Sequence, residues 1–357
     1  MRVGRPVDLD PGGTGGLSAG GPDVSTGPGA GSGKPGPWVA RLEKAWFAFR
    51  PWAPWVSLAF GLWNAFGVVR HYEQARWVAW MLAGMWGVFA AIAWIRRRAR
   101  RKGAGRKTEI VILAFSWASQ SLSQEILFFA LPFWIRSTTW DSRNAPFTVL
   151  LLLLAATTLY DPLYLERIAG RTRLLLVHKG LVAFAGLAFV VPVLLGAHTV
   201  RALALDGALA GLATALAIPA PRRGVLALAG LVAGGALAAG AAPWIAPVPL
   251  RIEHGTFASG VRDKRPLDTL RAAGPGAELW AFTPVFAPAG LDDTIVHVWS
   301  RDGREVARVP LPLHGGRKEG FRTWSSSRRA AAEPGDVRLE VVTADGQLVG
   351  AMTIPVK

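Results

Sequence analysis

The chain has 357 residues, no cysteine, 51% hydrophobic and 18% charged residues and a formal charge of +16, a composition on the membrane side of ordinary globular usage. The missing thiol excludes disulfides, thiolate metal sites, cysteine nucleophiles and lipidation at cysteine. Residues 1–247 hold 25 Lys+Arg against 11 Asp+Glu, and residues 248–357 hold 15 against 13; the basic excess belongs to the apolar part of the chain and argues against nucleic acid as a partner.

Residues 1–37 are dominated by Gly and Pro, as in GPDVSTGPGAGSGKPGP, and carry too little apolar surface to offset chain entropy. They are expected to be disordered. No apolar run follows the first charges, so this tail does not read as a signal peptide.

Residues 38–247 alternate apolar runs with short polar loops. Taking roughly 20 helical residues per ~30 Å bilayer core, about seven transmembrane helices are predicted, at about Trp52–Val69, Trp77–Ile95, Glu109–Ile135, Ala145–Tyr160, Leu174–Gly196, Thr199–Ile218 and Gly224–Ile245. The third run is overlong at about 40 Å and has the polar centre WASQSLSQE. Alternate loops carry 16 Lys and Arg on one side and five on the other. By the rule that basic loops stay inside, this predicts a multi-pass protein of the cytoplasmic membrane with an internal N-terminus and an extracytoplasmic, periplasmic C-terminal domain. Trp52, Trp55, Trp77, Trp94 and Trp134 lie near run ends, where indoles suit the headgroup zone.

Neither Gly33-Lys34 nor Gly105-Arg106-Lys107-Thr108 makes a phosphate-binding loop, because the required spacing and the strand-to-helix context are missing. The cluster Arg96–Lys107 reads as a topology signal or as a contact for anionic headgroups. Polar residues inside apolar runs are costly and mark candidate sites. Asn64, Glu125 and Asp206 fall at similar depths from the outer ends of their runs, and Ser116, Gln120, Ser123 and Gln124 share roughly one helical face. Two readings stand: a cation or proton site built on Glu125 and Asp206, or interhelical hydrogen bonds that satisfy the three residues mutually. Gly207-x-x-x-Gly211 and Gly230-x-x-x-Gly234 permit close backbone approach, either inside the bundle or in a homo-oligomer.

Residues 248–357 change to the two-residue period of strands, in ELWAFTPVFA, TIVHVWSR, EVARVPLPL, GFRTWSSS, DVRLEVV and LVGAMTIPV. Asp302-Gly303 and Asp345-Gly346 suit tight hairpins. An all-β, immunoglobulin-like sandwich is predicted. Alternation puts Ile295, His297 and Trp299 on one face of their strand and Arg322, Trp324 and Ser326 on one face of theirs. If the two strands are neighbours, His297, Trp299, Arg322 and Trp324 make a cation–π surface for a ligand; otherwise they are packing residues. The histidines lack metal-ligand spacing and no nucleophile elbow is present, so neither a catalytic group nor a cofactor is expected.

The run IVHVWSRDGREVARVPLPLHGG, followed by FRTWSSSRR, GDVRLEVVTADGQLVG and MTIPV, resembles the bacterial family catalogued as domain of unknown function 2914. That family shows a His-x-Trp strand, a basic-x-Trp-Ser-Ser strand and a Gly-x-Trp-Arg-Val-x-Val strand; here Val337 replaces the last Trp. The helical part looks like the membrane regions that accompany such domains, in the uncharacterised family numbered 5924. The resemblance implies a small β-sandwich attached to a membrane protein and no known activity. The expected function is therefore non-enzymatic: the lipid-embedded part presents the sandwich to an envelope protein or glycan. The competing expectation is a small-solute or cation/proton-coupled transporter using Glu125 and Asp206.

Overall fold

The computed structural model describes residues 106–357 apart from 161–162, 170, 197–198, 219–221 and 318, together with isolated positions between residues 44 and 91. The predicted tail, most of the first two apolar runs, Asn64 and the basic stretch before Arg106 lie outside the described residues.

The remaining apolar runs form helices close to their predicted bounds. These are α1 (Arg106–Ser137), α2 (Ala145–Leu159), α3 (Thr172–Leu195), α4 (Thr199–Ala217) and α5 (Arg223–Gly240), with a π-helical segment at Leu163–Ala169 and a 3-10 turn at Ala242–Trp244. Local chemistry sets several ends. Pro146 occupies the first turn of α2, where a missing N–H costs nothing, and Gly196 closes α3 in the left-handed conformation, its N–H donating to the Pro192 carbonyl.

The expectation of about seven transmembrane helices is corrected. Among the described residues one helix, α3, is both long and apolar enough to cross a bilayer. Helices α2 and α5 have 15 and 18 residues, about 22 and 27 Å against a hydrocarbon core of about 30 Å, and α4 places Arg201 and Asp206 within its 19 residues. The physical reason is that an apolar run in the sequence fixes neither the length of the helix it forms nor the partners that helix meets. In α3 the stretch from Val182 to Val193 is largely buried, with Phe133 of α1 stacked on Phe189 at 3.9 Å. Trp134, expected as a headgroup anchor, is fully buried and donates its indole N–H to the Ala185 carbonyl at 3.1 Å.

Helices α4 and α5 are held together by glycine. A Cβ on Gly211 would stand 2.0 Å from the Gly230 carbonyl oxygen, and one on Gly207 would stand 2.3 Å from that of Gly234. Both predicted Gly-x-x-x-Gly pairs thus face each other within one chain, bringing the two backbones into contact.

The C-terminal part is β-rich, as its alternation predicts. One sheet has β6 (Leu279–Phe286) at its centre. On one edge of β6 lies β9 (Phe321–Ser327); on the other lie β1 (Arg251–Ile252) and β2 (Thr256–Ala258), with β5 (Thr269–Leu270) beyond β2. The second sheet runs β11 (Leu348–Val356), β10 (Gly335–Thr343), β7 (Asp292–Arg301), β8 (Arg304–His314). A small hairpin is formed by β3 (Val261–Arg262) and β4 (Arg265–Pro266). Its turn residues Asp263 and Lys264 have φ of 52° and 58°, matching Asp302 and Gly303 at 46° and 79° between β7 and β8; two successive positive values fit the right-handed strand twist. At the β10–β11 turn the positive value falls on Gly346 alone, at 85°. The sheets pack face to face over one core that includes Leu279, Val285, Ile295, Trp299, Leu339 and Ile354.

Candidate functional site

The strands carrying the predicted aromatic surface do not pair. β7 lies between β10 and β8, whereas β9 pairs with β6 in the opposite sheet. The ladder His297–Trp299–Arg322–Trp324 is therefore corrected: His297 and Trp299 point inward and are fully buried, while Arg322 and Trp324 lie on the outer face of β9. Alternation assigns the face within a strand correctly, but it carries no information on which sheet the strand joins.

Inside the sandwich the buried histidine is the centre of a hydrogen-bond network. Its Nδ1 is 2.8 Å from Ser325 Oγ and its Nε2 is 2.8 Å from Thr283 Oγ1. Trp299 Nε1 donates to Ser325 Oγ at 2.9 Å, Thr283 Oγ1 lies 2.8 Å from Thr323 Oγ1, and Thr323 Oγ1 donates to the Thr283 carbonyl. Donation running one way satisfies every group: Trp299 to Ser325, Ser325 to His297 Nδ1, His297 Nε2–H to Thr283, Thr283 to Thr323, Thr323 to the carbonyl. This assigns a neutral imidazole protonated on Nε2. Burial agrees, pushing the His297 pKa down to about 4. The arrangement ties β7 to β6 and β9 and leaves no lone pair poised for chemistry.

The outer face of the first sheet does offer a cavity. A groove of about 390 Å3 runs between the β3–β4 hairpin and the outer face of β6 and β9. Phe282 and Pro284 form its apolar floor; Lys264, Arg265, His254 and Arg322 contribute basic groups, and Glu253 and Glu319 acidic ones. Arg322 pairs with Glu319 at 3.2 Å, and Trp324 stands opposite Phe282 in the strand register. The volume lies in the range of small-ligand sites.

Glu125 and Asp206 belong to different places in the bundle. Around Glu125, which is half-buried, Gln120 donates to the Thr158 carbonyl at 3.3 Å and Lys179 Nζ to Ser123 Oγ at 2.6 Å. His178 is buried beside Tyr164. Asp206 instead lines a small cavity with Ala188 and Pro192 of α3, residues 246–248 and Gln347 of the β10–β11 turn. Glu125 does not line it.

His178 and Lys179 are not among the predicted site residues, although two ionisable residues inside an apolar run are a readable signal. Neither are Asn144 and Gln347. Asn144 Nδ2 donates to the Leu348 carbonyl at 3.2 Å, and Gln347 Nε2 to the Ile245 carbonyl at 3.2 Å. These two side chains join the helix ends to the β10–β11 turn, and no local pattern marks such a long-range contact.

The fold and these sites define a helical bundle docked to a two-sheet β domain, with a surface groove and a buried carboxylate at the joint. The chain belongs to the family of unknown function DUF5924, whose model matches residues 37–275. Residues 292–354 match a second family, the protein of unknown function DUF2914. The two matches divide one sandwich: the first covers β1 to β5, the second covers β7 to β10 and most of β11, and β6 lies between them. No curated protein and no solved structure matches the chain.

Proposed function

We propose that this is a membrane-anchored binding protein whose β domain, on the non-cytoplasmic side, captures an anionic envelope component in the groove at Arg322. The observation that carries this reading is the groove itself, with an apolar floor of Phe282 and Pro284 beneath Lys264, Arg265 and Arg322. A ligand with an apolar body and acidic substituents would use both features.

Membrane anchoring is supported by the outside of the bundle. Leu153 on α2, Leu209 on α4 and Val225, Leu228, Val232 and Leu237 on α5 are exposed, large apolar side chains of the kind that lipid would cover. Orientation is supported by charge: Arg167, Arg171, Arg173, Arg222 and Arg223 lie in or beside the α2–α3 and α4–α5 connections.

The test is photo-crosslinking in cells from a photoreactive residue at Trp324, with Arg304 on the second sheet as the control position. An adduct specific to Trp324 that disappears in Lys264→Glu/Arg265→Glu is expected. Identical adducts from both positions would sink the groove reading. Alkaline phosphatase fused to the C-terminus should be active, and an inactive but stable fusion would reverse the orientation.

A further inference from the structure

Asp206 is 1% exposed, and neither of its carboxylate oxygens has a hydrogen-bond partner among the described residues. It lines a cavity of about 10 Å3, room for about one water or one small ion. Among the described residues no Lys, Arg or His lines that cavity, so an ionised Asp206 has no counter-charge from them there, and a buried carboxylate without one is strongly disfavoured.

The other donors converge independently. Gln347, also 1% exposed, lines the same cavity; its Nε2 is engaged with the Ala242 and Ile245 carbonyls while its Oε1 is without a partner among the described residues. Pro192 has no N–H, so the Ala188 carbonyl loses the donor that residue i+4 supplies in a regular helix. Both Ala188 and Pro192 line the cavity. The available ligands are thus one carboxylate, one amide oxygen and one helix carbonyl, an all-oxygen set with a single negative charge. That set suits a partly dehydrated monovalent cation. A divalent ion of the calcium type would want more carboxylates, and among the described residues no group of three acidic or histidine side chains exists.

We propose that Asp206, Gln347 and the Ala188 carbonyl form a sodium site that pins the β10–β11 turn to helices α3 and α4. The ion would join elements far apart in sequence, so its occupancy would couple the β domain to the bundle. This does not depend on what the groove binds.

The test uses the full chain purified in detergent micelles. Thermal unfolding is followed in sodium chloride and in choline chloride of equal ionic strength, and sodium binding to the wild-type chain is measured directly by calorimetry. Sodium should raise the midpoint saturably while choline does not, with about one ion bound per chain, and Asp206→Asn should lose the sodium-specific rise. Equal responses to the two salts, or a response that survives in Asp206→Asn, overturns the proposal. If the variant does not fold, wild-type calorimetry decides: no saturable sodium binding means that Asp206 is simply protonated, and the site does not exist.

Discussion

His297 of β7 and Ser325 of β9 are hydrogen-bonded across the sandwich at 2.8 Å, and the same Ser325 hydroxyl accepts the indole N–H of Trp299. Ser325→Ala removes the partner of two buried groups at once. Each orphan costs about 1–3 kcal/mol, so a loss of about 3 kcal/mol is expected in denaturant unfolding of the purified chain. Arg322→Ala, on the outer face of the same strand, removes a pair with an exposed Glu319 and should cost less than about 1 kcal/mol. Comparable losses in the two variants would contradict the assignment of faces.

Acid should act through His297. Burial lowers its pKa from 6.5 to about 4, so between those values the unfolded chain binds a proton that the folded chain does not. Stability from this residue is complete above about pH 6.5 and falls as pH drops toward 4. At pH 5 the loss is about 2 kcal/mol relative to pH 7.5. His297→Gln should show a pH dependence shallower by that amount, measured as the difference between wild-type and variant unfolding free energies at the two pH values.

Glycine at the α4–α5 seam is required by space. Gly211→Val would drive a side chain into the Gly230 carbonyl, whose oxygen lies 2.0 Å from the Cβ position; relief requires the helices to separate, at a cost of at least about 3 kcal/mol. Gly240→Ala, with nothing within 4 Å of the added carbon, should be neutral within about 0.5 kcal/mol. The yield of monodisperse chain in detergent and its midpoint of thermal unfolding report the contrast.

Periodicity made much of this fold legible, because helix and strand periods are written locally. The run Leu174–Gly196 became α3 with its end at Gly196, and Asp302-Gly303 became the β7–β8 turn. What local pattern could not carry was partnership. Alternation puts Ile295, His297 and Trp299 on one face, yet whether that face meets solvent or a second sheet depends on strand order. The number of bilayer crossings failed for a different reason: an apolar run does not state how long its helix will be, and α2 and α5 close after 15 and 18 residues. Asp206 was singled out by its cost, but its neighbour Gln347, 141 positions later, came only from the tertiary fold.

Asn144 offers a way to loosen the joint between bundle and β domain. It is fully buried; Nδ2 donates to the Leu348 carbonyl, and Oδ1 accepts from the Thr139 N–H at 3.2 Å and the Ser142 hydroxyl at 2.8 Å. Asn144→Ala leaves the Thr139 amide and the Leu348 carbonyl without these partners, a cost of about 2–4 kcal/mol. Asp141→Ala, three residues away in the same loop but exposed, removes only the 3.4 Å contact with Arg338 and should cost under about 1 kcal/mol. Because Arg136 and Arg143 flank this loop and are exposed, the rate of trypsin cleavage there reads its local opening. Cleavage should accelerate at least about tenfold in Asn144→Ala, since 1.4 kcal/mol of local destabilisation is already a factor of ten, and stay near the wild-type rate in Asp141→Ala.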